Sequence, residues 1–194
     1  MQKLIFLFGR KPGLSHDEFA RHYLEVHAPL GRRVTRAMAG YVVNLVEQAD
    51  ERDSNVPELD AITEIWTPSV EEFFDPAHAF TSPEDGRELM ADHDSFIGPM
   101  HAYLVSEELV EPADGTALSR FKHVALVGPQ DGATPDASAR DNVVRVLTPD
   151  APDVTAFAVR RLATPQDGGR LGLVSGYFVS EHVMLTPGGA GRAR

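Results

Sequence analysis

Cysteine is absent from this 194-residue chain, which excludes disulfides, thiolate metal sites and thiol catalysis. Lysine is nearly absent too. Only Lys3, Lys11 and Lys122 occur and arginine supplies the other basic side chains, a composition of the kind high-GC bacterial genomes encode. There is no basic stripe, and 18 basic against 29 acidic residues leave a formal charge of −11. That balance argues against nucleic acid and anionic membrane surfaces as partners. Long apolar runs are missing. The opening "KLIFLFG" is too short for a signal peptide or a membrane span, so the sequence reads as cytoplasmic. Neither Gly168-Gly169 nor Gly188-Gly189 precedes a helical pattern, and no serine stands in a nucleophile elbow, which sets aside nucleotide and acyl-enzyme chemistry. His22 and His27 are five apart, not the four of a helical zinc pair, and Asp92, His93 and Asp94 are adjacent and point in different directions. No metal and no cofactor are therefore expected.

What is present is a mixed pattern of strands and helices. Residues 3–9 form an apolar strand-like run ended by Gly9 and the "RKPG" turn. Ser15 with Glu18 makes a capping box, and Leu14 with Phe19 a hydrophobic staple. The helix they start carries Phe19, Tyr23, Val26, His27, Leu30 and Val34 on one stripe, with His22 at its edge. Pro29 cannot donate to the Glu25 carbonyl, which predicts a kink or break. Strands follow at 41–47 and 60–66. The second places Asp60, Ile62, Glu64 and Trp66 on one face and Ala61, Thr63 and Ile65 on the other. Helices start at Ser69 and near Pro83, and 100–110 is a fourth strand. The order β-α-β-β-α-β is the ferredoxin-like split motif.

Residues 111–119 read as a linker and 187–194 as a disordered tail. Between them lies a smaller unit, 120–186, read as β-α-β-β. Its helix is expected from the Thr134-Pro135 cap to about Leu147. Gly9 and Gly128 end comparable strands, and "YLVSE" at 103–107 resembles "YFVSE" at 177–181. These features suggest a degenerate copy of the first unit.

The segments "FGRKPGLSHDEFARHYLEVHAPL", "YVVN", "DAITEIW" and "ADHDSFIG…YLVSEELV" resemble the EthD family over about residues 1–110. The resemblance implies an α+β fold of the ferredoxin-like, dimeric α+β barrel type. It also implies a pocket between the sheet and the helices of each unit, and chemistry that is often cofactor-free. The shortened second unit can close a barrel against the first or decorate it while two chains pair; a homodimer is the favoured assembly, because apolar sheet faces need cover.

His27 is the leading candidate for acid–base chemistry. It matches the histidine of the family-like "HAPL" segment and sits on the inner stripe at a helix irregularity. The competing reading is a core histidine whose ring bonds a carbonyl freed by Pro29. Glu64 and His93 are the assisting candidates. Asp60 reads as exposed. Arg10, His22, Tyr23, Asn44, Trp66, His101 and Tyr103 are candidates to bind substrate. Arg10 is suited to anchor a carboxylate or phenolate, and Tyr23 and Trp66 to shape apolar walls. The leading expectation is a cofactor-independent enzyme acting by proton transfer on a small aromatic or polyketide-like molecule. A non-catalytic small-molecule-binding protein and a cofactor-free monooxygenase are the alternatives.

Overall fold

The computed structural model describes residues 1–49, 58–109, 120–129, 137, 139–162 and 176–186. Eight strands run through them: β1 (Gln2–Arg10), β2 (Gly40–Ala49), β3 (Ala61–Thr67), β4 (Ile97–Leu109), β5 (Phe121–Val127), β6 (Ala139–Val146), β7 (Ala156–Leu162) and β8 (Tyr177–Leu185). They close into one barrel in the order β1-β3-β2-β8-β5-β7-β6-β4, with every neighbouring pair antiparallel. Among the first four strands the order is 2-3-1-4, and among the last four it is 6-7-5-8. The two sets join where β2 meets β8 and where β4 meets β6.

The sequence alternation fixes what each strand face touches. Leu4, Phe6 and Phe8 of β1 pack with Tyr41, Val43, Ala61 and Ile65 against the helices, whose buried rings are Phe19, Tyr23 and Phe96. Ile5 and Leu7 point the other way, into the barrel, where they meet Ile62, Tyr103, Val124, Phe157, Tyr177 and Val179. Each fully buried side chain of this size contributes about 1.5–3 kcal/mol, so both faces of β1 are held.

The apolar interior gives way to an ionic one. Lys3 Nζ lies 2.8 Å from each of Glu64, Glu107 and Asp141. Lys122 Nζ lies 3.1 Å from Glu64 and also pairs with Glu181. Asn44 Nδ2 donates to Glu64 at 2.9 Å, and Lys122 donates to Asn44 Oδ1 at 3.1 Å. Lys3 stands over the Trp66 ring, 4.9 Å from its centroid. Glu107 and Glu181 close the two segments whose sequences match, so both reach this network.

Three expectations change. The segment expected to be helical up to about Leu147 is the strand β6 over its described part; Thr134 and Pro135 lie outside the described residues. Val143, Val144 and Val146 are β-branched, and β6 finds partners on both sides in β4 and β7. The barrel, expected between two chains in the favoured assembly, closes within one chain. Asp60 is buried, at 1% exposure. The expected linker at 111–119 and tail at 187–194 lie outside the described residues.

Candidate functional site

The helix layer begins as the sequence predicts. The Ser15 side chain accepts from the Glu18 N–H, and Glu18 accepts from the Ser15 N–H, at the start of α1 (His16–His22). Beyond His22 the helix widens instead of kinking. Residues Tyr23–His27 form a single π turn, closed by the Ala28 N–H on the Tyr23 carbonyl, before α2 (Ala28–Val34). Pro29 accounts for it. The proline removes the donor that the Glu25 carbonyl would take in an α-helix, and its ring would press on that carbonyl. A single π turn of the kind seen within α-helices stands just before Pro29.

The π turn has a consequence for the histidines. On an α-helix, residues five apart are about 140° apart around the axis. The wider turn brings His22 and His27 onto one side. There they meet Asp92, which lies on α5 (Pro83–Phe96), after the short α3 (Val70–Phe74) and α4 (Pro76–Ala79). His22 Nε2 donates to Asp92 Oδ1 at 2.8 Å, and His27 Nδ1 donates to Oδ2 at 2.8 Å. One carboxylate thus bridges two imidazoles.

The two rings differ in exposure. His27 is 7% exposed, and burial pushes its pKa down to about 4 in spite of Asp92, with His93 and His22 opposing a charge there. Its ring packs 4.9 Å from Phe96, 5.3 Å from Tyr23 and 5.7 Å from His93. His22 is 32% exposed and lines an open groove of about 320 Å³ with Leu14, Arg21, Val26 and Phe96. His93 packs edge-on to Phe8, and burial lowers its pKa too. The Tyr23 hydroxyl bonds Thr63 at 2.6 Å and also meets Tyr41. Burial pushes its pKa up to about 12. The space between sheet and helices, where the resemblance places a pocket, is filled by the rings of Phe8, Phe19, Tyr23 and Phe96.

The remaining candidates divide by strand face. Glu64, Asn44 and Trp66 belong to the ionic interior of the barrel, on the opposite face of the sheet from His27, and so do not join it. Glu64 is held well below the usual carboxylate range by Lys3 and Lys122, against the pull of its burial. Tyr103 also lies in the barrel, its hydroxyl donating to the Pro152 carbonyl at 2.9 Å. His101, on the same face two residues earlier, stands opposite Leu7. Arg10 stands apart at the end of β1. Its Nη1 and backbone N–H donate to the two oxygens of Asp60 at 2.6 and 2.7 Å, and His16 Nδ1 donates to Oδ1 at 2.8 Å. His16 is accordingly easier to protonate than usual, chiefly through its bond to Asp60.

Sequence reasoning missed Asp92 as the hub and Asp60 as a buried one. The available signal was the acidic pair around His93. Among the described residues, no group of three His, Asp or Glu side chains is arranged to hold a metal ion. No helix there is long and apolar enough to cross a membrane.

A closed antiparallel barrel with a helix layer against four of its strands is an α+β barrel. Residues 11–100 match the family model of the EthD domain. No curated protein matches the chain significantly.

Proposed function

We propose that this protein is a cofactor-independent enzyme acting by histidine-mediated proton transfer on a small aromatic or polyketide-like molecule. Cyclisation, isomerisation, dehydration and decarboxylation are the reactions this chemistry serves. The observation that supports it is the Asp92 carboxylate joining a groove-facing imidazole to a buried one. With Nε2 tied to Asp92, His22 keeps Nδ1 for a substrate proton. Asp92 then stabilises the imidazolium that forms, as the carboxylate does in His–Asp pairs. His27 stays neutral, so no second positive charge opposes that step, and its N–H fixes the rotation of Asp92. In this reading His22 takes the acid–base role that the sequence favoured for His27, because His27 lines neither the groove nor the cavity beside Arg10. His27 becomes a positioning residue. Phe96, Val26 and Leu14 form the apolar wall.

The strand order of β5–β8 repeats that of β1–β4, which supports reading the second unit as a degenerate copy. The copy supplies in one chain the half-barrel that a partner subunit would otherwise bring, so this reading requires no homodimer.

The test is turnover of a panel of aromatic β-keto acids and enol lactones by protein stripped with a chelator and free of flavin. His22→Gln should lower kcat by about 10²–10⁴-fold, the range for losing a general acid or base. His27→Gln should lower it by about tenfold, as for a group acting through another. Full activity in His22→Gln would sink the reading.

A further inference from the structure

A second cavity, of about 400 Å³, lies at the turn between β1 and α1. Arg10, Lys11, Leu14, Asp60 and Pro99 line it. The turn is rigid by construction. The Leu14 N–H donates to the Lys11 carbonyl at 3.2 Å, Pro12 fills the second position, and Gly13 takes φ +98° at the third, a type II arrangement. At Gly98 a Cβ would stand 2.6 Å from the Arg10 carbonyl oxygen, so a glycine is needed where β4 passes Arg10.

The charges around this cavity are not all spent. Asp60 is satisfied inside its own cluster by Arg10 and His16. The outer Nη2 of Arg10 pairs at 3.0 Å with Glu58, which is 84% exposed and competes with water for that contact. Lys11 donates to the Asp94 carbonyl oxygen at 2.8 Å, and among the described residues no carboxylate lies within ion-pair distance of it. The other two lysines are buried in the barrel. Glu58 and Asp60 line the cavity too and offset Arg10, so the cation left without a carboxylate partner beside it, among the described residues, is Lys11. Leu14 lines both this cavity and the groove at His22, so the two are neighbours on either side of one side chain.

We infer that the cavity anchors the carboxylate of a small aromatic acid, with Lys11 and the outer edge of Arg10 holding the anion. The aromatic body of the acid crosses Leu14 and delivers its reacting end to His22. The second half of this inference rests on the proton-transfer reading of the groove; the anion anchor does not.

Titration of the purified protein with 1-naphthoate and with its neutral isostere 1-naphthamide tests it at low ionic strength. Naphthoate should bind about tenfold more tightly, the worth of one charge-assisted contact. Lys11→Met should remove most of that preference. Glu58→Gln should widen it by about threefold, since the competitor for Arg10 is gone. Neither variant should change naphthamide affinity, and both side chains are exposed, so both proteins should melt as the parent does. Equal affinity for the two probes, no binding of either, or a preference that neither variant moves would overturn the anchor. The two readings fail separately. Loss of turnover in His22→Gln without a naphthoate preference leaves the proton-transfer reading standing and removes the anchor. A naphthoate preference with full turnover in His22→Gln does the reverse.

Discussion

Lys3 and Asp141 are 138 positions apart in the chain, yet they meet at 2.8 Å inside the barrel. Lys3 is on β1 and Asp141 on β6, so their contact spans the junction where β4 pairs with β6. Lys122 does the same at the other junction, reaching Asn44 and Glu64 from β5. The two halves of the barrel are therefore cross-linked twice, by Lys3–Asp141 and by Lys122–Glu64, and Glu64, which touches both lysines, ties the two bridges together. Lys3→Met should be severe. It leaves the buried Asp141 without its cation and Glu64 with Lys122 alone, while Glu107, at 38% exposure, turns to water; breaking the buried pair costs about 3–5 kcal/mol. Asp141→Asn should be mild by comparison. Burial pushes the Asp141 carboxyl up despite Lys3, and Glu64 and Glu107 push the same way, so a neutral acceptor there is close to what the fold favours. Urea unfolding of the two variants beside the parent checks the contrast, and a larger loss in Asp141→Asn would contradict it.

Acid sensitivity should trace to His27. Its folded-state pKa of about 4 lies below the ordinary 6.5, so protonation opposes folding. The stability this represents is fully present above pH 6.5 and is lost as pH falls towards 4, at about 1.4 kcal/mol per unit. His93 has the same sign, and His22, Asp92 and Tyr23 face the same ring. His16 works in the other direction: its contribution is complete below pH 6.5 and fades as pH rises through its raised value. Between pH 6.5 and 5 the parent should therefore lose about 2 kcal/mol, and His27→Gln should show a distinctly flatter profile. Chemical unfolding at closely spaced pH values gives the slopes, and identical slopes would rule out His27 as the cause.

Parts of the fold are readable from the sequence, and the reasons are local. The capping box at Ser15, the alternation through Asp60–Trp66 and the proline at the start of α5 are written in adjacent residues. The EthD resemblance is legible for the same reason, in contiguous segments. What is not legible depends on distant pairing. β6 carries an alanine-rich, proline-capped approach that suits a helix, and only its two strand partners decide otherwise. Glu64 shares a strand with Thr63, but the barrel wall separates their surroundings: Thr63 meets Tyr23 while Glu64 meets two lysines. The spacing of His22 and His27, laid on an α-helix, sends the rings apart. The π turn at Pro29 reverses that conclusion.

Closure of the barrel within the chain bears on assembly. A second chain is expected where one sheet face lacks cover, but in this protein that face is the inner wall, covered by β5–β8. Sedimentation equilibrium at micromolar concentration should give a mass near the 21.2 kDa of one chain. A stable dimer mass would require an interface other than the inner sheet face.

Pro29 offers a direct handle on the two histidines. Alanine at this position restores a backbone donor for the Glu25 carbonyl and removes the ring that crowds it. The stretch 23–27 is then free to return to α-helical hydrogen bonding, which is the better geometry for most sequences. Stability should hold or rise, because a helix-breaking residue is replaced by the best helix former. The site should suffer all the same. Rotating His22 relative to His27 by one α-helical register takes one imidazole off Asp92. Proton NMR reads this directly. The parent should show two protected imidazole N–H signals, from His22 and His27 on the shared carboxylate, and Pro29→Ala should keep one. Turnover should fall in parallel, by about 10–100-fold, the usual cost of losing a group that orients another. A variant that keeps both signals would show that packing against Phe96 and α5, and not the proline, holds the π turn in place.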